Sequence, residues 1–233
     1  RDTRVKVCGW VHRLRSQKDR MFVVLRDGTG YLQCVLQGKL THTYEALTLT
    51  LESSIEVYGV IQALPEGKTA PDNHELVADY WVCIGKAPGG EEAITNRISE
   101  NSDPSILADN RHLVLRGETA SAVLRVRAAV MSAFREEFEA GGVLESFRAE
   151  KSHTRRHLSE YTHLEAEFGF IKFDELMNNI EQAVCGMVDR LLEKPKMRAL
   201  IEQLNPGFTP PKRPFLRLNY KDAIKYLNDH NIL

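Results

Sequence analysis

The sequence has almost no excess charge: Lys and Arg together number 31 against 32 Asp and Glu, a formal net charge of -1. No global basic excess advertises nucleic acid, so any such signal must be local. No apolar run is long enough to cross a bilayer, and the first residues, Arg1-Asp2-Thr3-Arg4, carry no signal-peptide hydrophobic region and read as an internal start. Cysteine is scarce, with four well-separated residues (Cys8, Cys34, Cys83, Cys185) and no C-x-x-C pair. That disfavours a zinc site or a disulfide framework and suits a reducing, cytosolic compartment. Gly28 and Gly30 are turn glycines; no helix follows at the spacing a phosphate-binding fingerprint requires. Internal repeats and low-complexity tracts are also lacking. What is present is 233 residues of ordinary globular composition, 42% hydrophobic and 27% charged, enough for one large domain or two small ones.

Residues 4 to 86 read as β. Val5, Val7 and Gly9 alternate with Arg4, Lys6 and Cys8; Met21 to Leu25 is a continuous apolar run; Leu32, Cys34 and Leu36 alternate with Tyr31, Gln33 and Val35. Ile55 to Val60 and Leu76 to Ile84 complete about five short strands separated by Gly or Pro turns. Five strands in this length suit a small Greek-key barrel of the OB type, with a short helix expected between Gln37 and Leu51. On this reading Cys8 and Cys34 are core thiols, and His12 and His42 are surface residues rather than ligands. A domain of residues 1–86 is followed by a linker over 87–115; the polar run Lys86 to Glu92 opens it, and it holds the turn signal Asn101-Ser102-Asp103-Pro104.

The second domain, 116–233, turns helical. One helix runs from Thr119 to a stop at Gly141-Gly142, a second over about Asp174 to Leu192 with Cys185 buried in it, and a third from near Asn219. Asn205 to Pro214 holds four of the nine prolines and reads as a stiff connector in which Lys212 and Arg213 are solvated. The fold class is therefore α+β.

Leu144 to Phe168 carries the chemistry. It reads as strand, loop, strand. Ser146, Arg148 and Glu150 share one face of the first strand; Tyr161, His163, Glu165 and Glu167 share a face of the second; Leu164, Ala166 and Phe168 form an apolar back. The loop holds Lys151, His153, Arg155, Arg156 and His157. Such a front suits a nucleoside triphosphate: arginine forks for phosphate, an aromatic for a base, a carboxylate for an exocyclic amine. The same residues would equally make a solvated hairpin with a charged edge.

Phe147-Arg148-Ala149-Glu150, Arg156-His157-Leu158 and Glu160-Tyr161 resemble motif 2 of class II aminoacyl-tRNA synthetases, in the aspartyl, asparaginyl and lysyl subgroup. Continued through Thr162-His163-Leu164-Glu165-Ala166-Glu167, the string is most similar to eukaryotic cytosolic asparaginyl-tRNA synthetases. Val5 to Arg15 with Phe22 to Gly30, and Asn205-Pro206-Gly207-Phe208 through Lys212-Arg213-Pro214-Phe215, resemble the same family. The resemblance implies ligation of asparagine to its tRNA through an aminoacyl-adenylate, with ATP and Mg²⁺ and, in full-length relatives, a homodimer. By that resemblance Arg148 holds the α-phosphate and the activated carboxyl. Glu150 faces adenine or the tRNA acceptor end. Arg156 and His157, with Leu158 beside them, meet the distal phosphates; Tyr161 stacks on adenine; Glu165 contacts the amino acid. Adenylate formation depends on positioning and charge stabilisation, so one arginine on the α-phosphate matters greatly.

In the barrel the resemblance implies anticodon reading. Phe22 stacks on the central base and Gln33 hydrogen-bonds it, Arg13 and Arg15 meet phosphate or base nearby, and Glu75 contacts a further base. By strand pattern alone Phe22 is a core residue and Gln33 a solvated one. The sequence also departs from the family. Gly142 is followed at once by Val143-Leu144-Glu145-Ser146, and no proline lies between Pro104 and Pro195. The motif 1 strand, which carries the family's dimer interface, and the amino-acid loops are therefore expected to be missing. Beyond residue 170 only Gly186 and Gly207 remain, so the Gly-rich motif 3 and its arginine are expected to be absent. The usual eukaryotic N-terminal extension is not seen, and the last residues fall inside what resembles the next helix. The class II sheet is expected to be partial, its hairpin poorly covered, and the barrel the best-folded part.

Overall fold

The computed structural model describes residues 3–64, 66–99, 101–139, 158, 160–230 and 232, and the backbone alone of 145–149. The chain divides into two compact units, Arg1–Val114 and Leu115–Leu233.

The first unit is a closed five-stranded barrel in the order β1-β2-β3-β5-β4, made of β1 (Arg4–Gln17), β2 (Arg20–Arg26), β3 (Tyr31–Gln37), β4 (Ser54–Ala63) and β5 (His74–Gly85). All pairings are antiparallel except β3 with β5, which is parallel. Alternation sets the inside. Met21, Val23 and Leu25 of β2 point inward and pair with Leu36, Cys34 and Leu32 of β3. Val11, Ile55, Val57, Leu76, Ala78 and Trp81 complete the core. The segment between β3 and β4 forms a 3-10 turn (Gly38–Thr41) and α1 (Tyr44–Leu47), the helical element expected there. It plugs the barrel: Ala46 and Leu49 join the core, and the Trp81 indole donates to the Leu40 carbonyl at 3.2 Å.

Gly9 and Gly59 sit where strands approach most closely. A Cβ on Gly9 would lie 2.8 Å from the Arg26 carbonyl oxygen, and one on Gly59 would collide with the Val77 carbonyl. The Asp27–Gly30 turn between β2 and β3 is tied by the Asp27 carboxylate, which accepts from the Thr29 hydroxyl, the Thr29 amide and the Gly30 amide. These bonds, the Thr29 hydroxyl foremost, hold the Asp27 pKa below the ordinary aspartate range.

Cys34 is fully buried, and burial pushes its thiol up to about 12. Cys8 corrects the sequence reading: it is exposed on the outer face, its sulfur 3.7 Å from a Glu56 carboxylate oxygen. The reason is phase, because Val5, Val7 and Val11 take the inward positions of β1. In native protein at pH 8, iodoacetamide is expected to label Cys8 rapidly while Cys34 and Cys185 react only after urea unfolding; peptide mass mapping reads the difference. Equal native labelling of Cys8 and Cys34 would contradict this barrel phase.

The stretch read as a linker is locally ordered. Thr50 and Ser53 hydrogen-bond the Ala87 carbonyl and amide at 2.6 and 3.0 Å, and short helices α2 (Ile94–Arg97), α3 (Pro104–Asp109) and α4 (Arg111–Val114) follow.

The second unit contains α5 (Glu118–Glu139), the hairpin β6 (Glu145–Ala149) and β7 (Glu160–Leu164), α6 (Phe173–Glu193), α7 (Pro195–Leu204) and α8 (Tyr220–Asp229). The glycine stop expected for α5 lies outside the described residues. The α5–α6 contact is built around Glu137, which accepts from Arg190 at 2.9 Å and Gln182 at 3.4 Å and packs over Gly186. Glu175 accepts from the Lys172 amide and so caps the start of α6. The sequence reading missed α7: Pro195 starts it at a position where proline is tolerated, instead of marking an end. Arg213 is not simply solvated; it pairs with Asp189 of α6 at 2.7 Å.

Candidate functional site

The outer face of β1, β2 and β3 gathers the barrel residues singled out in the sequence. Phe22, Val24 and Arg26 alternate with the inward Met21, Val23 and Leu25, so all three face outward. Register then fixes their neighbours: Arg15 and Val35 beside Phe22, Arg13 and Gln33 beside Val24, Tyr31 beside Arg26. Phe22 is therefore not a core residue. Its register partner Val35 is buried yet outside the core cluster.

Two of these contacts are informative. The Arg15 guanidinium lies 4.9 Å from the Phe22 ring centroid, so cation and ring form one platform. Gln33 pairs across the parallel β3–β5 ladder with Glu75, and its Nε2 donates to the Glu75 carboxylate at 2.7 Å. That bond fixes which way the amide points. The Gln33 carbonyl oxygen and second N–H stay available to a planar partner with a complementary edge.

A second group on the same face was not foreseen. Arg26 grips Glu52 with both terminal nitrogens at 2.9 and 2.7 Å, both side chains being 12% exposed. The same guanidinium meets His12 Nδ1 at 3.1 Å, and the His12 ring lies 4.9 Å from Tyr31 with an interplanar angle of 50°. His12 is thus half-buried in a network, not a bland surface residue. Glu52 adopts φ 68°, held there by its amide donating to Val11 O and by Val11 N donating to Ser53 O. A glutamate at positive φ is strained. These partners come from four places in the chain, so no local pattern announced them. The one available signal was the phase change in β1, where inward residues shift from odd (Val5, Val7, Val11) to even (Leu14); the bulge between Val11 and Arg13 accommodates His12.

In the second unit the backbone sets Arg148 opposite Tyr161 and Ser146 opposite His163. The Arg148 side chain lies outside the described residues, as do Glu150, Lys151, His153, Arg155, Arg156 and His157. Leu158 is exposed. Tyr161 is half-buried, its ring 5.9 Å from His163. The strand ends at Leu164, so Glu165 and Glu167 do not extend the face as expected; Glu165 instead turns back to His163 Nδ1 at 3.4 Å. The apolar back is poorly covered, with Leu164 41% exposed. Among the described residues no group of His, Cys, Asp and Glu is placed to hold a metal ion, and no helix is long and apolar enough to cross a membrane.

Comparison with known proteins matches both units. Residues 5–84 match the OB-fold nucleic acid binding domain, and residues 142–231 match the tRNA synthetases class II (D, K and N). The cytoplasmic asparagine–tRNA ligase of Saccharomyces cerevisiae is 47% identical over 281 residues, covering 98% of this chain and 51% of that protein. The human cytoplasmic asparagine–tRNA ligase is 43% identical over 285 residues, covering all of this chain and 52% of that protein. The solved asparaginyl-tRNA synthetase of Entamoeba histolytica in complex with asparaginyl-adenylate superposes with TM-score 0.87 at 32% identity, covering all of this chain and 65% of that one. The chain belongs to the asparaginyl-tRNA synthetase family. It spans about half the length of the curated relatives it matches. The aligned span of 285 residues exceeds the 233 of this chain, so the human relative carries positions inside the alignment that have no counterpart here.

Proposed function

We propose that this chain acts in the ATP-dependent ligation of asparagine to its tRNA, through an aminoacyl-adenylate, in the cytoplasm. The barrel holds the anticodon and the hairpin unit contributes to the ATP site. The observation that carries this reading is the outer face of the barrel, where an arginine-backed aromatic and a carboxylate-oriented amide stand side by side on a family-matched OB fold. Single-stranded bases are bound by stacking on an aromatic and read by edge hydrogen bonds. Phe22 supplies the stacking surface, Gln33 the edge contact, and Glu75 fixes the amide; Arg13 and Arg15 attract the phosphates.

On the hairpin, the register of Arg148 against Tyr161 suits ATP: Tyr161 offers a half-buried ring for adenine, and Arg148 a guanidinium for the α-phosphate. Glu150, Arg156, His157 and Leu158 are assigned to the remainder of the nucleotide, and Glu165 to the amino acid. Mg²⁺ accompanies the phosphates, its ordinary ligands, and neutralises their charge. Arg148 then stabilises charge developing at the α-phosphorus as the asparagine carboxylate attacks.

Two measurements test this. Anisotropy with a labelled RNA hairpin carrying the GUU triplet in its loop is expected to show Phe22→Ala binding roughly 5- to 150-fold more weakly, the range of one stacked base. Unchanged binding would remove the anticodon assignment. ATP–pyrophosphate exchange with asparagine, lost in Arg148→Ala, would place chemistry in this chain. A second reading rests on the two-stranded, poorly covered hairpin: RNA binding without exchange would make the chain a tRNA-binding module. Exchange with aspartate alone would reassign the amino acid.

A further inference from the structure

We propose that His163 is a positioning residue for Glu165: its imidazole steers the Glu165 carboxylate toward the side-chain amide of asparagine. This rests on the reading that gives Tyr161 to adenine and Glu165 to the amino acid, and it names what holds the second of these in place.

The need for such a holder comes from where β7 stops. The last ladder pair is Glu145 with Leu164, so Glu165 is the first residue beyond the paired backbone. A side chain on a paired strand takes its direction from the pleat; one just past the end does not. Glu165 is also exposed and rich in rotamers, so ordering it on a ligand carries an entropic cost. His163 is placed differently. It lies within the ladder, its backbone opposite Ser146, and it is half-buried. The Tyr161 ring lies 5.9 Å from the imidazole at a tilt of 59°, and Glu165 Oε1 lies 3.4 Å from its Nδ1. Tyr161, His163 and Glu165 thus form one row, with His163 joining the residue assigned to adenine to the residue assigned to the amino acid.

The chemistry of the pair suits this role. An imidazole attracts a carboxylate either as a neutral N–H donor or as a cation. By drawing on Oε1 it leaves Oε2 to accept from an N–H of the asparagine side chain. Aspartate in the same position would bring a second carboxylate against Glu165, and like charges at contact repel. An exposed ion pair is weak in water. A ligand that covers the pair excludes water and strengthens it.

The test is calorimetric titration of the full chain with asparaginyl sulfamoyl-adenosine, a stable mimic of the adenylate. Its aspartyl counterpart and adenosine sulfamate, which lacks the amino acid, are titrated alongside. His163→Ala is expected to weaken the asparaginyl compound at least about fivefold, the upper end for an exposed pair, and to leave adenosine sulfamate unchanged. His163→Asn sets an amide nitrogen about where Nδ1 stands and should recover most of the loss. The asparaginyl-to-aspartyl preference should narrow in His163→Ala and return in His163→Asn. In a Glu165→Gln background His163→Ala should cost nothing further, because the partner through which it acts has lost its charge. Unchanged binding of the asparaginyl compound by His163→Ala overturns the proposal. So does an equal loss for adenosine sulfamate, which marks a general structural effect, or a full further loss in the Glu165→Gln background. If the amino-acid portion adds no affinity in the unmutated chain while adenosine sulfamate binds, the Glu165 assignment falls, the proposal falls with it, and the ATP reading stands. If none of the three compounds binds, the nucleotide-site reading itself is refuted together with the proposal.

Discussion

Replacing Gly59 with alanine is expected to destabilise the barrel by more than about 3 kcal/mol, beyond the usual range for an overfilled core. Gly59 lies in β4 where its register against β5 shifts, Tyr58 facing Tyr80 but Gly59 facing Ala78. A Cβ there would strike the Val77 carbonyl and come within 2.8 Å of Leu76 Cδ2. The backbone oxygen belongs to the β4–β5 ladder and cannot rotate away as a flexible side chain could. A domain has only about 5–15 kcal/mol in total, so the variant should lose a large fraction of the barrel's stability. Gly28→Ala is the control, because a Cβ at Gly28 meets nothing within 4 Å. Both tryptophans, Trp10 and Trp81, lie in barrel strands, so urea unfolding followed by tryptophan fluorescence reports on this unit. A Gly59→Ala midpoint equal to that of Gly28→Ala would mean that β4 and β5 are not this close.

Glu52→Ala is expected to cost about 2–4 kcal/mol, slightly under the range for stripping one partner from a buried ion pair, since both side chains keep some solvent contact. The cost comes from removing the carboxylate that Arg26 grips with both terminal nitrogens. Glu52→Gly loses the same carboxylate but relieves the positive φ, so it should be more stable than Glu52→Ala by about 1 kcal/mol. That order reverses the general rule that glycine is the worse substitution, and it separates backbone strain from the ion pair. The same urea experiment reads it. Equal midpoints for the three proteins would show that the pair contributes nothing.

The barrel was legible because its strands are short, alternate cleanly and are separated by turn residues. The two faces of β2 were not. Phe22 and Val24 are as apolar as Met21, Val23 and Leu25, so composition alone makes the strand look buried throughout. Only pairing with β1 and β3 shows that two of the five face outward. Cys8 misled for a related reason: it is small and apolar, and its exposure follows from the phase of its neighbours. The Arg26–Glu52–His12 network was invisible to local pattern because its members are 14 and 26 residues apart and meet only when the barrel closes. Helix α7 was hidden by Pro195, a breaker inside a helix but a normal first residue. The hairpin was legible through its motif, and the backbone pairs two strands within the expected stretch. Glu165 and Glu167 fell off the expected face because β7 stops at Leu164.

The bulge in β1 has a consequence for how this barrel can change. Upstream of it the outward residues are even-numbered, Lys6, Cys8 and Trp10; downstream, Arg13 and Arg15. His12 is the one residue by which the two stretches differ in phase. A strand with such an insertion can lose or gain a residue there while both stretches keep their partners, because the offset is absorbed locally. The chain length most open to variation in β1 therefore lies beside the Phe22–Gln33 face and not in the core. New chemistry can enter the outer face by a change in length alone, with every inward side chain left in its place.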